Sequence, residues 1–235
     1  MEKTISLDLS RKYFFRYMLI DSFLSENDLE YFTKIFDYNS FSLPDLAMSV
    51  LYSYTISNKN DIKINDVKGF KVNPKEPILS LQLLEKHKRY KKLLDQILSI
   101  LCPMKFHLID EYDYRLVFTG KNCKYPIHDD VASKLLSTVV YLDPNENKGT
   151  ILFPCPEYKL ANGKSTFPNE GYSIRWKPNR ALIFSRIKEK TWHSYEGNGI
   201  ENRLSLVINV MTNRPEEAIK IEKSLEFKKT ITWTS

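Results

Sequence analysis

Three short stretches of this chain carry residue types that can do chemistry: His128-Asp129-Asp130, Trp192-His193-Ser194 and Arg203-Leu204-Ser205. His128 and Asp130 are two positions apart, so on a strand both side chains point to one face and Asp129 points to the other. His193 follows 63 positions after Asp130 (193 − 130), and Arg203 ten after that (203 − 193). A neutral imidazole binds first-row metals through one nitrogen, and its other N–H needs an acceptor, which the sequence does not identify. Two histidines and one carboxylate around a metal with open positions form the donor set of non-haem Fe(II) oxygenase chemistry. His128, Asp130 and His193 are therefore the candidate metal ligands and catalytic residues. Arg203 opens Arg203-Leu204-Ser205-Leu206-Val207-Ile208-Asn209-Val210, where Arg203, Ser205, Val207 and Asn209 share a strand face. An arginine facing a core is costly unless paired. A carboxylate ligand would pair it through two parallel hydrogen bonds; an ordinary Arg–Glu salt bridge is the alternative.

These residues need elements to aim them. From about residue 106 the apolar period shortens, and β-rich segments alternate with Gly, Pro and Asn. Strands are expected near 106–118, 124–130, 135–142, 149–154, 171–176, 180–186 and 203–211. Many short strands with long excursions predict a mainly β fold with flanking α: a double-stranded β-helix, or jelly roll, with N-terminal helices packed on one sheet. Residues 78–101 read as the clearest helix, with Leu83, Leu84, Tyr90, Leu94, Ile97, Leu98 and Leu101 on one face and Pro103 as its stop. The opposite face carries Lys86, Lys88, Arg89, Lys91 and Lys92, read as a solvated surface. Residues 13–24 read as a strand and turn, followed by a helix capped by Ser25 with Asp28 reaching back. Residues 44–56 are assigned to a second helix. Residues 57–77 are polar, with Pro74 and Pro77, and read as a loop that could cover the site. His87 and His107 have no acidic partner at ligand spacing and stay outside the site. We divide the chain into a support region, 1–105, and a jelly-roll core, 106–235, within one compact domain.

The bulk numbers set bounds. With 235 residues the chain is long enough for a proper core. Lys plus Arg exceed Asp plus Glu by 35 to 29, a net charge of +6, which reads as a mildly basic surface rather than a nucleic-acid footprint. Cys102, Cys123 and Cys155 are widely spaced, an odd number with no CxxC pair. That argues against a disulfide framework or a structural zinc site and fits a reducing compartment. No apolar run approaches a membrane span, and Met1-Glu2-Lys3 opens no secretory signal, so a cytoplasmic protein without a membrane partner is expected. Oligomeric state is not legible.

The order H-x-D, distant His, then R-x-S about ten residues later, each on strand-like sequence, resembles the Fe(II)/2-oxoglutarate-dependent dioxygenases, with motif support across roughly residues 106–212. The resemblance implies a hydroxylase using Fe(II), with 2-oxoglutarate and O2 as co-substrates and succinate and CO2 as co-products. It places Arg203 on the distal carboxylate of 2-oxoglutarate with Ser205 beside it. In the prolyl-hydroxylase-like branch a Tyr often stands ten positions before the first ligand; here it is Phe118, followed by Gly120, so any hydroxyl contact there is lost. Tyr141-Leu142 matches that branch's strand after the H-x-D loop, which implies the Tyr141 hydroxyl as Arg203's partner at the carboxylate. Gly149-Thr150-Ile151-Leu152-Phe153-Pro154 is similar to the family's Gly-containing entry into the next strand. Tyr125, three before His128, is a candidate for the substrate side. Nucleic-acid demethylases of the wider family carry a second Arg six residues after the co-substrate Arg; Asn209 stands there, which argues against a nucleic-acid substrate. Collagen-type prolyl hydroxylases usually place Lys where Arg203 stands and fit less well.

The expected substrate is a small molecule, a sugar or a protein side chain, with the excursion from Pro154 to Gly171 (Tyr158, Lys159, Lys164 and Phe167) as a possible wall of its pocket. Two other classes compete. A cupin-like metal enzyme without 2-oxoglutarate usually carries more histidines than the four present here. A non-catalytic jelly-roll binding module has no need of three ligands and a carboxylate clamp, although architecture alone does not decide function.

Overall fold

The computed structural model describes residues 5–8, 15–34, 48–65, 77–154, 158–159, 165–167 and 171–227. In chain order these form β1 (Ile5–Asp8), β2 (Tyr17–Ile20), α1 (Glu26–Lys34), β3 (Met48–Ser57), β4 (Ile62–Ile64), α2 (Pro77–Leu101), a 3-10 segment (Pro103–Leu108) and β5 (Glu111–Thr119). There follow β6 (Lys124–His128), β7 (Lys134–Asp143), β8 (Lys148–Leu152), β9 (Tyr158–Lys159), β10 (Ser165–Thr166), β11 (Tyr172–Arg175), β12 (Ala181–Phe184), β13 (His193–Glu196), β14 (Arg203–Met211) and α3 (Pro215–Phe227). The large sheet runs β1-β2-β12-β7-β14-β5-β3-β4 and the small sheet β11-β8-β13-β6. Both are antiparallel. From β5 onward the chain crosses repeatedly between the sheets: β5, β7, β12 and β14 lie in the large one, and β6, β8, β11 and β13 in the small one. The molecule is thus mainly β, two antiparallel sheets with a few helices, in a jelly-roll-like arrangement.

Strand alternation separates two faces of the large sheet. On β14, Leu204, Leu206, Ile208 and Val210 join Tyr112, Tyr114, Leu116 and Phe118 of β5 and Leu83, Tyr90, Leu94, Ile97 and Leu98 of α2 in one buried cluster. Tyr54 stacks on Tyr114 with ring centroids 4.7 Å apart, and His87 accepts or donates a hydrogen bond at 2.9 Å with the Tyr114 hydroxyl. Arg203, Ser205, Val207 and Asn209 therefore turn to the opposite face. There a second cluster joins Tyr141, Leu182 and Phe184 of the large sheet to Leu152 and Ile174 of the small one. The candidate site lies on this side.

The α2 helix follows its apolar pattern, with Pro77 at its first position, where no amide is needed. Ser25 caps α1: its Oγ accepts the Asp28 N–H at 3.2 Å and donates to Asp28 Oδ2 at 2.8 Å. The basic face of α2 is partly paired, since Lys86 and Arg89 each reach Asp28 at 2.6 Å and Lys91 reaches Asp95 at 2.7 Å. The assignment of 44–56 to a helix is corrected. Met48–Ser57 is a strand pairing with both β4 and β5, and residues 44–47 fall outside the described part. The run is rich in Tyr, Thr, Ile and Val, which suit a pleated surface, and Tyr52, Tyr54 and Ile56 bury at period two. Within 57–77, Ile62–Ile64 pairs back on β3, and 66–76, which the covering-loop reading needed, lies outside the described residues. The strand expected from 106 begins at Glu111 because Pro103 starts a 3-10 turn. Among the described residues, no helix is long and apolar enough to cross a membrane.

Candidate metal centre

The structure brings His128, Asp130 and His193 together: each offers one ligand atom, and these atoms lie within 4.8 Å of one another. Two strands of the small sheet supply the histidines. His193 on β13 is the cross-strand partner of His128 on β6, with ring centroids 4.2 Å apart. Each ring is oriented by a main-chain carbonyl two residues upstream. His128 Nδ1 lies 3.1 Å from the Pro126 carbonyl, and His193 Nδ1 lies 2.8 Å from the Thr191 carbonyl. A carbonyl only accepts, so both Nδ1 atoms carry protons and both Nε2 lone pairs are left for a ligand.

β6 ends at His128, so strand alternation does not aim Asp130. Its side chain is held instead by Lys134 Nζ on Oδ1 and Ser137 Oγ on Oδ2, both at 2.6 Å. Its own carbonyl accepts from Arg186 Nε at 2.9 Å. Burial works to raise the Asp130 pKa. Lys134 and His193, with the Lys134 and Ser137 hydrogen bonds, outweigh it and hold the carboxyl at about 2. Burial pushes His193 down to about 4 despite the nearby Asp130 charge. At neutral pH the pair is thus an ionised carboxylate and a neutral imidazole, the forms a divalent metal needs. Each carboxylate oxygen keeps a lone pair beyond its hydrogen bond. The donor set fits Fe(II) with open positions.

Asp129 is not part of the candidate ligand set and has a task of its own. It accepts the Glu189 N–H at 2.8 Å and the Thr191 hydroxyl at 2.6 Å, which anchors the turn leading into His193.

Arg203, on β14, lies on the inner face of the large sheet, turned toward the small sheet that carries the histidines. It is buried, and its Nε and Nη1 have no hydrogen-bond partner among the described residues. Its guanidinium carbon stands 3.5 Å above the Tyr195 ring, with Trp176 and Tyr141 rings at 5.8 and 6.0 Å. Burial pulls its pKa below the ordinary arginine value, although the surrounding Tyr195, Tyr141 and Cys123 favour its charge; an arginine stays cationic at neutral pH. Ser205 Oγ and Thr119 Oγ1 are also buried without hydrogen-bond partners among the described residues. Thr119 is the cross-strand neighbour of Arg203. A buried cation with three aromatic rings, two orphaned hydroxyls and no carboxylate partner among the described residues fits an anionic ligand. Tyr195 ties this cradle to the ligand set, since it sits two positions beyond His193 on β13, about 7 Å of strand.

The remaining sequence candidates fall as follows. Tyr141 is fully buried beside Arg203 and stacks on Trp176 at 4.5 Å. Its hydroxyl accepts the Thr150 N–H at 2.9 Å and donates to Thr150 Oγ1 at 3.2 Å, so it would have to leave Thr150 Oγ1 to donate to a carboxylate. Tyr125 meets the His128 ring edge-on at 4.7 Å. Pairing shifts between His193/His128 and Tyr195/Tyr125, a bulge in β6 at Pro126 and Ile127, and this puts residues three apart on one side. Phe118 lies in the core under the helices, on the other face from Arg203. Sequence reasoning missed Thr119, Tyr195 and Ser137. Strand alternation from Arg203 and His193 would have pointed to Tyr195, and no local signal marks the other two. Of the excursion from Pro154 to Gly171, the side chain of Phe167 is described: its ring lies 4.9 Å from that of Trp192 and 5.9 Å from that of Phe153.

No family model matches the chain, and no curated protein matches it. Similar solved structures include a prolyl-4-hydroxylase from Pseudomonas putida, 14% identical, covering 84% of this chain and 92% of that one at a TM-score of 0.49. Another is the viral collagen prolyl hydroxylase from Paramecium Bursaria Chlorella virus-1 in complex with 2OG, 16% identical, covering 83% and 96% at a TM-score of 0.44.

Proposed function

We propose that this protein is a non-haem Fe(II)- and 2-oxoglutarate-dependent dioxygenase that hydroxylates an unactivated C–H bond of a small molecule, a sugar or a protein side chain. The observation that carries the reading is a His-Asp-His set and, between the same two sheets, a buried arginine whose Nε and Nη1 have no hydrogen-bond partner among the described residues. His128, Asp130 and His193 hold the metal. Arg203 takes the distal carboxylate of 2-oxoglutarate, with Ser205 beside it and Tyr141 as the further hydroxyl. Bound there, Fe(II) and 2-oxoglutarate supply O2 activation, with succinate and CO2 released as substrate is hydroxylated. The chain's own residues do the rest. Pro126 and Thr191 fix the imidazoles, Lys134 and Ser137 keep Asp130 ionised, and the Tyr195, Trp176 and Tyr141 rings exclude water around the carboxylate clamp. Tyr125 lines the substrate side. Residues 106–235 are the catalytic core and 1–105 its support. The buried free thiols of Cys102 and Cys123 suit a reducing cytoplasm.

Anaerobic titration with Fe(II) and 2-oxoglutarate, followed by visible absorption, tests this. A weak charge-transfer band from chelated 2-oxoglutarate is expected. His128→Ala or Asp130→Ala should abolish it, and Arg203→Ala should raise the 2-oxoglutarate needed by about a hundredfold, the loss of a charge-assisted pair. Iron binding without a band would favour a cupin-like metal enzyme, and no iron binding would leave a jelly-roll interaction module.

A further inference from the structure

Three charged side chains are buried together behind the candidate centre: Lys105, Arg186 and Glu222. Buried charge is costly unless each group is paired and hydrogen-bonded, so its concentration at one place needs a reason. Glu222, on α3, joins the other two. Its Oε1 accepts from Lys105 Nζ at 2.6 Å, and its Oε2 accepts from Arg186 Nη1 at 2.7 Å and from the Lys188 N–H at 3.0 Å. Lys105 Nζ also donates to the Arg186 carbonyl. Arg186 carries the connection forward: its Nε donates to the Asp130 carbonyl at 2.9 Å, and its Nη2 lies 3.6 Å from Asp129 Oδ2. Asp129 in turn holds the Glu189 N–H and the Thr191 hydroxyl, and the Thr191 carbonyl orients the His193 ring. The segment 186–191 between β12 and β13 is therefore gripped at Arg186, Lys188, Glu189 and Thr191 by side chains from three other parts of the chain. Both Asp130 and His193 hang from it.

We propose that Glu222 is a positioning residue of the metal centre: through Arg186 and Asp129, α3 latches the segment 186–191 in the form that presents Asp130 and His193 together. The proposal rests on reading His128, Asp130 and His193 as a metal site. A merely structural glutamate would affect stability without affecting how the His193 ring is held.

Glu222→Gln keeps the size of the side chain and removes its charge, and two measurements follow it. In the metal-free protein, imidazole 15N–1H NMR should show His193 with its proton on Nδ1, and Glu222→Gln should show a mixture of tautomers. In a Co(II) titration, Glu222→Gln should weaken binding about tenfold or more, and Glu222→Asp should recover part of the loss. Asp28→Asn is the control. It breaks another buried carboxylate network, with Lys86 and Arg89 at 2.6 Å and the Tyr90 hydroxyl at 2.5 Å. It should lower stability and leave both readouts at wild-type values. Should Glu222→Gln fail to fold, Lys105→Gln carries the same two expectations. The proposal is overturned if the Glu222 and Lys105 variants leave tautomer and affinity unchanged, or if Asp28→Asn shifts them equally. If the wild-type protein binds no Co(II), the metal reading falls, and the tautomer comparison alone decides the positioning role.

Discussion

Lys134 holds Asp130 ionised by placing an ammonium 2.6 Å from its carboxylate, and the same contact opposes a metal ion. Two cations then compete for one carboxylate. Lys134→Met should therefore tighten Co(II) binding several-fold and move the Asp130 pKa up from about 2. Weaker binding in this variant would show that Lys134 supports the site instead. His87 poses a different residue-scale question. It is buried between α2 and the large sheet, and burial, aided by the Lys91 charge, pushes its pKa down to about 4. The unfolded chain takes up this proton below about 6.5, and the folded chain only near 4. Between those values the unfolded state holds more protons, so stability is full above 6.5 and is lost as pH falls. The slope is at most about 1.4 kcal/mol per pH unit for such a histidine. Denaturant melts of the metal-free protein between pH 7 and 4 should show this fall, and His87→Gln should make it shallower. His193 was legible as a candidate ligand because its neighbours in sequence order are an H-x-D pair and an Arg strand. Thr119 was not, because its relation to Arg203 is a cross-strand register that only sheet pairing creates.

Elements differ in how much of their shape is local. The start of α1 is written in four residues, Ser25 to Asp28, and Ser25→Ala should cost about 1 kcal/mol in thermal or chemical melts. The entry to β8 depends on tertiary contact. A Cβ at Gly149 would lie 2.0 Å from the Ile174 carbonyl oxygen and 3.1 Å from the Tyr141 hydroxyl. The first is backbone and cannot rotate away, so β8 and β11 would have to separate. Gly149→Ala should destabilise by about 1–3 kcal/mol and disturb the Tyr141–Thr150 contact beside Arg203; an unchanged melting temperature would contradict the close packing. β3 shows the limit of pattern reading. Residues 44–56, with Pro44 early in the run, were assigned to a helix, whereas Tyr52, Tyr54 and Ile56 alternate along a strand and bury their side chains in the cluster that holds Tyr114 and the apolar face of α2.

At the scale of the whole molecule, the large sheet is shared by two cores. Its outer face packs on α2, and its inner face holds the cradle and Ser137. Destabilising the helix side should therefore weaken the fold without altering the inner chemistry. Leu94, fully buried on α2, tests this. Leu94→Ala should cost about 2–5 kcal/mol of stability, and the folded fraction should bind Co(II) with wild-type affinity. A parallel loss of affinity would mean that the two faces of the sheet are coupled.

His128, Asp130, His193 and Arg203 could be singled out as candidates because residue type and order along the sequence are one-dimensional properties; that Asp130 joins the two histidines beyond the end of β6 is a result of the fold. The strands of the core and the long helix were legible for the same reason, through apolar period and turn residues. What holds the candidate centre in shape was not. Pro126 and Thr191 act through carbonyls that every residue possesses. Ser137, Thr119 and Tyr195 act across strand pairings. Lys105, Arg186 and Glu222 meet from segments as far as 117 positions apart. Their charges look like ordinary surface residues in sequence, and only burial, a property of the folded chain, turns them into a network that must be paired.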